Sequence, residues 1–404
     1  MNAMIRASLL LFSMACLPAA FGGPAPVSAP VSAPAAAHDV HRARHAARRL
    51  LFTPSSVAVA SFTAAADGSI DPADPSVVHD ADRRMPLGSS IKILVLGAFA
   101  DAVENGGLDP TATVTTREWE RFYMPDTDGG AHAAALDELE LPHDAWGFAL
   151  DQDASVTLQR LAELMIHHSD NAAFDYFLRA LGPDRVASVI ERVGLVAQDV
   201  PASDLGSLLM MSNHEIGTLD AKRIAGFRAL TRAEVESEAG LWRERFLEPE
   251  WRAAEFAWRL DGGASEGYAL QARALQVIDN HGTAREFARM TAAVAQGRFL
   301  DEAVSRRMAH VLEWPLRFIP GAPEAFERWG EKGGSIPGVL TDNNFTVARV
   351  GDFAGRLRIT VVFVDGLGAA AWNRLHDGEL LTFEQRLMAD AEFVKEFGET
   401  LGER

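Results

Sequence analysis

Cysteine is almost absent from this chain of 404 residues, because Cys16 is its only cysteine. A lone cysteine cannot form an intramolecular disulfide, so packing has to stabilise the fold. Hydrophobic residues make up 48% of the sequence, which is enough for the core of one large domain or two small ones. No internal repeat is visible, and this argues against a repeat architecture.

Positive charge is also scarce. The formal net charge is −18, with 56 acidic residues against 38 Lys and Arg, and the isoelectric point is near 5.1. One basic stretch, His41–Arg49, is present, and it is typical of a solvated helix. Because nucleic-acid binding requires clustered basic residues that neutralise phosphates, the composition predicts no nucleic-acid partner.

The first 23 residues have the organisation of an export signal. Arg6 supplies the positive start, Leu9–Leu17 forms the apolar centre, and small residues follow at positions 19 and 20. This segment is too short to span a bilayer comfortably. We therefore expect an exported protein, periplasmic or secreted. Membrane attachment is expected only if Cys16 is lipidated, and Ser13 stands where lipoprotein signals usually have a large aliphatic residue.

The chain divides further into a Pro/Ala-rich linker at residues 24–45 and one domain at residues 46–404. Strands are predicted at Ser56–Phe62, Val339–Arg349 and Leu357–Val364, so strands from both chain ends share one sheet. Between them lie amphipathic helical patterns, including Ser155–His167. A final helix is predicted at Phe383–Phe397.

The stretch Pro86–Ala100 carries the first chemical motif. Gly88 and Ser89 precede an apolar helix, and Ser89 and Lys92 are three residues apart, which places them on one helix face. Burial disfavours the ammonium form of a lysine, so Lys92 could act as a neutral base toward the Ser89 hydroxyl. Taken alone, the pair favours the simpler interpretation of a capping serine beside an exposed lysine.

Two later motifs change that interpretation. Ser-Asp-Asn stands at residues 169–171 between two helical patterns, and Lys-Gly-Gly-Ser stands at residues 332–335 before the C-terminal strands. In this order the three motifs resemble those of class A β-lactamases and penicillin-binding proteins, from about Ala46 to the C-terminus. The resemblance implies an α/β (α+β) fold of the β-lactamase type, in which an all-helical half is inserted between the first and last strands of an antiparallel sheet.

The resemblance also implies catalytic roles. Ser89 would be the acylated nucleophile and Lys92 its general base, while Ser169 would relay a proton to the leaving group and Lys332 would hold that relay. Lysine usage supports the assignment, because Lys92 and Lys332 are two of only four lysines against 34 arginines. Arginine cannot give up its proton in a protein, whereas lysine can be tuned to do so. A coding bias toward arginine explains the scarcity of lysine but not its placement.

Substrate binding is implied for a second group of residues. Asn171 would hydrogen-bond a substrate amide, and Gly334 and Ser335 would also bind the substrate. The backbone N–H groups of Ser89 and Ser335 would stabilise the developing oxyanion. The predicted substrate is a small molecule: a β-lactam, an ester or a cell-wall peptide. No cofactor is implied.

Two departures from the family pattern stand out. Gly333 replaces the usual Thr or Ser of the third motif. The Glu-x-x-Leu-Asn setting that supplies the water-activating glutamate of class A β-lactamases is not found. Asp199 and Asp204 are the acids in the corresponding region, and Asp204 is interpreted as the cap of a helix through Met211. Slow hydrolysis of the acyl-enzyme is therefore expected.

Three alternatives remain at this stage. A D-alanyl-D-alanine carboxypeptidase-like enzyme would share all three motifs, and a non-catalytic penicillin-binding sensor would retain the fold. A metal site resting on His167 and His168 is disfavoured, because adjacent residues on a helix do not face one direction and no His-x-x-x-His or Cys cluster accompanies them. Residues 196–275 fit the family least well and are interpreted as a helical insertion.

Overall fold

The computed structural model describes residues 37–52 and 56–402, and the predicted export signal lies outside them. Its strands, in chain order, are β1 Ser56–Thr63, β2 Val77–His79, β3 Arg84–Pro86, β4 Thr113–Thr115, β5 Ser155–Thr157, β6 His281–Thr283, β7 Phe326–Glu331, β8 Gly334–Ile336, β9 Val339–Ala348 and β10 Leu357–Asp365.

The main sheet is antiparallel, with strand order β2–β1–β10–β9–β7, and β8 also pairs with β9. Ser56 lies opposite Asp365 and Thr63 opposite Arg358, so the first long strand pairs with the last one. Two small sheets, β3 with β6 and β4 with β5, lie within the helical part. The predicted strands and their shared sheet are confirmed, whereas β2, β7 and β8 of that sheet were missed.

Helices supply most of the remaining described residues. In chain order they are α1 Ala37–Phe52, α2 Lys92–Glu104, α3 Thr116–Trp119, α4 Ala131–Glu138, α5 Leu158–His167, α6 Asn171–Leu181, α7 Pro183–Arg192, α8 Asp204–Met211, α9 Ala221–Phe227, α10 Arg232–Phe246, α11 Pro249–Leu260, α12 Tyr268–Ile278, α13 Ala284–Ala295, α14 Glu302–Leu312, α15 Pro315–Phe318, α16 Ala322–Ala325, α17 Ala369–Arg374, α18 Leu380–Ala389 and α19 Ala391–Gly402.

The α2 helix runs through the centre of the helical half. Its residues from Lys92 to Ala102 are all buried, and they contact helices on several sides, which explains why the sequence there is apolar all round. A short 3-10 turn, Gly88–Ile91, precedes α2 and places Ser89 at its N-terminal end. The predicted helical half between the first and last strands is therefore confirmed.

Three predicted boundaries were wrong. Residues 155–157 form a strand, and α5 starts after them because the Thr157 side chain caps its first turn. The predicted C-terminal helix is two helices, since Asp390 is extended and its carboxylate caps α19 through the Phe393 N–H. Finally, α1 starts at Ala37, inside the range predicted as linker.

Hydrophobic packing holds α1 against the rest of the fold. Ala43, Ala46 and Leu50 are buried in one cluster with Phe383 and Leu387 of α18, on the face of the sheet opposite the helical half. Each of these side chains stabilises the fold by leaving water. Across the described ranges, no helix combines the length and the apolar character that crossing a bilayer requires.

Candidate active site

The segment before Ser89 is held by a buried carboxylate. Oδ2 of Asp279 accepts hydrogen bonds from the N–H groups of Leu87 (2.9 Å) and Gly88 (2.8 Å). Gly88 has a φ of +49°, a left-handed conformation that glycine adopts without strain. Together these features fix the turn that leaves the Ser89 side chain partly exposed while the backbone around it is buried.

Lys92 lies one turn after Ser89, and its side chain has no exposed surface. Its Nζ lies 2.9 Å from Ser89 Oγ and 3.2 Å from Ser169 Oγ. It also donates to the carbonyl oxygen of Ser169 (2.6 Å) and to Oδ1 of Asn171 (2.5 Å). Burial lowers the pKa of Lys92 from the usual value of a lysine, and nearby carboxylates offset this only in part.

This arrangement suits a neutral amine. A neutral lysine keeps two N–H donors, and the Ser169 carbonyl and the Asn171 amide oxygen can accept both of them. The lone pair of Nζ is then left for a hydroxyl, either that of Ser89 or that of Ser169. The geometry therefore supports proton transfer between Lys92 and each of the two serines.

Ser169 connects the two motif lysines. It has a φ of +64°, a conformation uncommon for a residue with a side chain, and its Oγ lies 3.0 Å from Nζ of Lys332. Lys332 follows β7, and its Nζ also donates to the Gly333 carbonyl (2.6 Å). Burial, reinforced by the charge of Lys92, lowers the pKa of Lys332 to about 7.

Asp170 secures the loop that carries Ser169. Its Oδ1 accepts from Trp119 Nε1 (3.1 Å) and from the Ala173 N–H that starts α6, and its Oδ2 lies 2.7 Å from His132 Nδ1. Burial opposes ionisation of Asp170, but His132 and these donors outweigh it and lower the pKa of the carboxyl. These contacts give Asp170 a structural role, because they tie the loop that carries Ser169 to α3, α4 and the start of α6.

The β8 strand lies against the Ser89 turn without room for a side chain. A Cβ on Gly334 would lie 2.4 Å from the Leu87 carbonyl oxygen and 2.7 Å from the Ser89 nitrogen. A Cβ on Gly88 would lie 3.3 Å from the Ser335 nitrogen. The backbone nitrogens of Ser89 and Ser335, which the sequence motifs imply as an oxyanion-binding pair, therefore belong to adjacent segments.

Gly333, the departure in the third motif, has a different environment. A Cβ there would lie 3.3 Å from the Thr341 carbonyl oxygen and 3.5 Å from Oε1 of Glu331. Burial and the nearby Asp342 raise the pKa of Glu331 to about 8. A side chain at this position would therefore press on the backbone of β9, which is a physical reason for glycine.

Asp204 is the site residue that the sequence assigned wrongly. The cap of α8 is Ser203, whose Oγ accepts from the Gly206 N–H (2.8 Å), whereas Oδ2 of Asp204 lies 3.9 Å from Nζ of Lys92. Among the described residues it is the one carboxylate within 4.0 Å of that nitrogen. Its side chain is 21% exposed. Burial raises the pKa of Asp204 to about 7, against the opposing charge of Lys92.

Residues 196–275, which fit the family pattern least well, fix the position of Asp204. Helix α10, from this segment, packs so closely on α8 that a Cβ on Gly206 would lie 1.8 Å from the Ala239 carbonyl oxygen. Asp199, the other acid considered, instead forms ion pairs with Arg84 and Arg232 and accepts from the His281 N–H. Asp199 therefore interacts with these partners and not with Lys92. Asp204 is the acid of this region that lies near Lys92.

Sequence reasoning also missed a polar cluster behind the nucleophile turn. Ser90 Oγ lies 2.8 Å from Thr341 Oγ1 and accepts from Asn343 Nδ2 (2.7 Å), and that amide also donates to the Lys332 carbonyl. Thr341 and Asn343 are two residues apart on β9, so they share one face of the sheet. The run of four consecutive polar residues at positions 341–344, inside a strand with apolar residues at both ends, was the available signal. The cluster ties the start of α2 to the strand beside Lys332.

Replacing Gly334 with alanine is expected to disrupt this contact. The added methyl group overlaps backbone atoms of Leu87 and Ser89, so β8 has to move, and we expect a loss of about 1–3 kcal/mol of stability. A displacement of the oxyanion donors should slow acylation about 100-fold. Gly240→Ala is the matched control, because nothing lies within 4 Å of that Cβ in α10. Thermal melts and acylation rates that match between the two variants would contradict the argument.

Comparison with known proteins agrees with this architecture. A family model described as the β-lactamase enzyme family matches residues 69–377, and the chain belongs to that family. The fold is that of β-lactamase-like serine hydrolases. Comparison with curated proteins finds no match.

Three solved structures illustrate the likeness. A β-lactamase from Sphaerobacter thermophilus is 19% identical, with a TM-score of 0.50, covering 90% of this chain and 98% of its own. A β-lactamase from Chitinophaga pinensis is 14% identical, with a TM-score of 0.48, covering 90% and 99%. A class A β-lactamase representative from Bacteroides cellulosilyticus is 14% identical, with a TM-score of 0.47, covering 91% and 99%.

Proposed function

We propose that this protein is an acyl-enzyme serine hydrolase in which Ser89 is acylated by a β-lactam, an ester or an amide. One observation carries the proposal: Nζ of a fully buried lysine, Lys92, lies within hydrogen-bond distance of the hydroxyls of both Ser89 and Ser169. A serine hydroxyl needs an adjacent base to attack a carbonyl, and a buried amine is such a base.

The acylation step uses the contacts described above. Ser89 Oγ bonds to the substrate carbonyl carbon while its proton passes to Nζ of Lys92. The carbonyl oxygen becomes an oxyanion facing the Ser89 and Ser335 amides, which can contribute several kcal/mol. The C–N or C–O bond then breaks, and the leaving atom receives a proton from Ser169 Oγ, which Lys92 or Lys332 reprotonates.

Asn171 and Lys332 bind the substrate in this proposal. Since Oδ1 of Asn171 accepts from Lys92, its Nδ2 is the group that donates to a substrate carbonyl. Protonated Lys332 attracts a substrate carboxylate, a group common to penicillins and to peptides with a free C-terminus. The substrate is therefore a small molecule that carries an acyl carbon and an anionic group.

Deacylation in this proposal depends on Asp204. A base must activate the water that releases the acyl group, and Asp204 is the carboxylate that the described residues place near Lys92. Its raised pKa, about 7, leaves a large share of it protonated at neutral pH. Slow release is therefore expected below pH 7, with faster turnover above it.

The place of action is also a proposal. Residues 1–23 direct export, so the enzyme meets its substrate in the periplasm or outside the cell, and it contacts a membrane only if Cys16 is lipidated. N-terminal sequencing of the mature protein tests this, because processing near Gly23 is expected and an intact Met1 would contradict it.

Intact mass measured over time with a fluorescent penicillin tests the hydrolase. We expect one adduct per chain, located on Ser89 by peptide mapping, and none in Ser89→Ala. Ser69→Ala, a change at an exposed serine, is the matched control and should acylate like the wild type. An unmodified wild-type chain would refute acylation by penicillins. Release of D-alanine from cell-wall peptides would identify the substrate as a peptide.

A further inference from the structure

Three side chains outside the active site converge on one point, and we call them the Glu138 cluster. Oε2 of Glu138, at the end of α4, lies 2.5 Å from Nδ1 of His167 and 2.6 Å from Nε2 of His168. One ligand atom from each residue lies within 4.8 Å of the other two. The expectation that adjacent histidines cannot serve one site was wrong, because His167 presents its Nδ1 and His168 its Nε2 to the same carboxylate oxygen.

The His167 nitrogen is not explained by ordinary hydrogen bonding. Its Nδ1 is buried and has no hydrogen-bond partner with acceptable geometry, although the Glu138 carboxylate oxygen lies close to it. The side chain is 9% exposed. A buried ring nitrogen of this kind is costly unless something binds it.

The surroundings hold the cluster in place. Arg160 Nη2 donates to Oε1 of Glu138 (2.5 Å), which leaves Oε2 toward the histidines. The His167 ring stacks on Trp314 (centroids 4.7 Å apart) and on Phe318 (4.0 Å). A hydrogen-bonded carboxylate and a packed imidazole are the outer supports that metal ligands commonly have.

We propose that the Glu138 cluster binds a divalent transition-metal ion, with Zn²⁺ as the first choice. Two imidazoles and one carboxylate are a donor set that Zn²⁺ accepts, and they leave a further coordination position for water. Because His168 directly precedes Ser169, the ion stabilises the segment that carries the motif serine. Binding does not depend on the proposed hydrolase reaction.

Calorimetric titration of the untagged, chelator-treated full chain with ZnCl₂ tests the proposal. We expect about one equivalent bound, a raised melting temperature, and an affinity at least about 100-fold weaker in His168→Gln and in Glu138→Gln. His310→Gln is the matched control, because that histidine is 63% exposed and outside the cluster. Unchanged affinity in both cluster variants, or no binding by the folded wild type, would overturn the proposal.

A second measurement needs no variant. Wild-type crystals soaked in Zn²⁺ should show an anomalous difference peak in contact with Glu138, His167 and His168. A peak elsewhere only, or none, would overturn the proposal and show that the three side chains form a cluster of ion pairs without a metal. This result stands even if the substitutions impair folding.

Discussion

Replacing Lys92 with methionine should slow acylation of Ser89 by about 10²–10⁴-fold, the range that a positioned general base contributes. The change removes the amine that contacts Ser89 Oγ at 2.9 Å but keeps the length and volume of the side chain. The variant loses the buried hydrogen bonds to the Ser169 carbonyl and to Asn171, so its melting temperature should fall, and rates are compared at a temperature at which it is folded. Penicillin acylation rates and thermal melts measured together provide the check.

Two further substitutions separate the loss of the base from the loss of a positive charge and from the general effect of a Lys→Met change. Lys92→Arg keeps a positive charge but cannot lose its proton, so it should be as slow as Lys92→Met. Lys395→Met makes the same change at a side chain that is 73% exposed and should acylate normally. Rapid acylation in either Lys92 variant would assign the base to another residue.

The pH dependence of acylation follows from the two lysines. Lys92 has to be neutral, so the rate should rise with pH through its lowered pKa. Lys332 has to stay protonated to attract the substrate, so the rate should fall as pH rises above about 7. The acylation rate plotted against pH should therefore be bell-shaped, and its rise and fall should report the ionisation of the two coupled amines. A rate that keeps rising to pH 9 would exclude a charged Lys332 from substrate binding.

The motif residues could be predicted from the sequence because their chemistry is local. Ser89 and Lys92 share a helix face whatever the rest of the chain does, and Ser169 had to start a loop between two periodic segments. A buried lysine also stands out against a chain that otherwise uses arginine. The central helix, the long strands and the pairing of the chain ends follow from the same patterns.

The remaining contacts depend on tertiary packing, which periodicity does not encode. Asp204 and Lys92 are 112 positions apart in the sequence. They lie close together because α10 packs against α8 at Gly206 and so fixes the position of α8. A capping role for Asp204 was a reasonable local interpretation, but Ser203 is the residue that caps α8. His167 and His168 meet at one carboxylate oxygen although the backbone of His168 keeps helical angles, because one ring presents Nδ1 and the other Nε2. The position of Glu138 that allows this is set by tertiary packing.

Replacing Asp204 with asparagine should make the acyl-enzyme about 10²–10⁴-fold longer-lived, again the range of a general base, while acylation changes little. The amide keeps the shape of the side chain next to Lys92 but cannot take a proton from water. Intact-mass decay of the penicillin adduct measures the lifetime directly. Asp199→Asn is the matched control, because its ion pairs with Arg84 and Arg232 lie outside the site, so it should lower the melting temperature and leave release unchanged.

The pH dependence of release makes this prediction sharper. The folded-state pKa of Asp204 is raised to about 7, so the carboxylate is mostly protonated at pH 6 and mostly ionised at pH 8. A single ionisation at that pKa makes release about tenfold faster at pH 8 than at pH 6 in the wild type. Asp204→Asn should lose this dependence entirely. If the wild-type rate did not change across pH 7, or if the variant kept the same slope, water activation would belong to another group, and Asp204 would act only on the charge of Lys92.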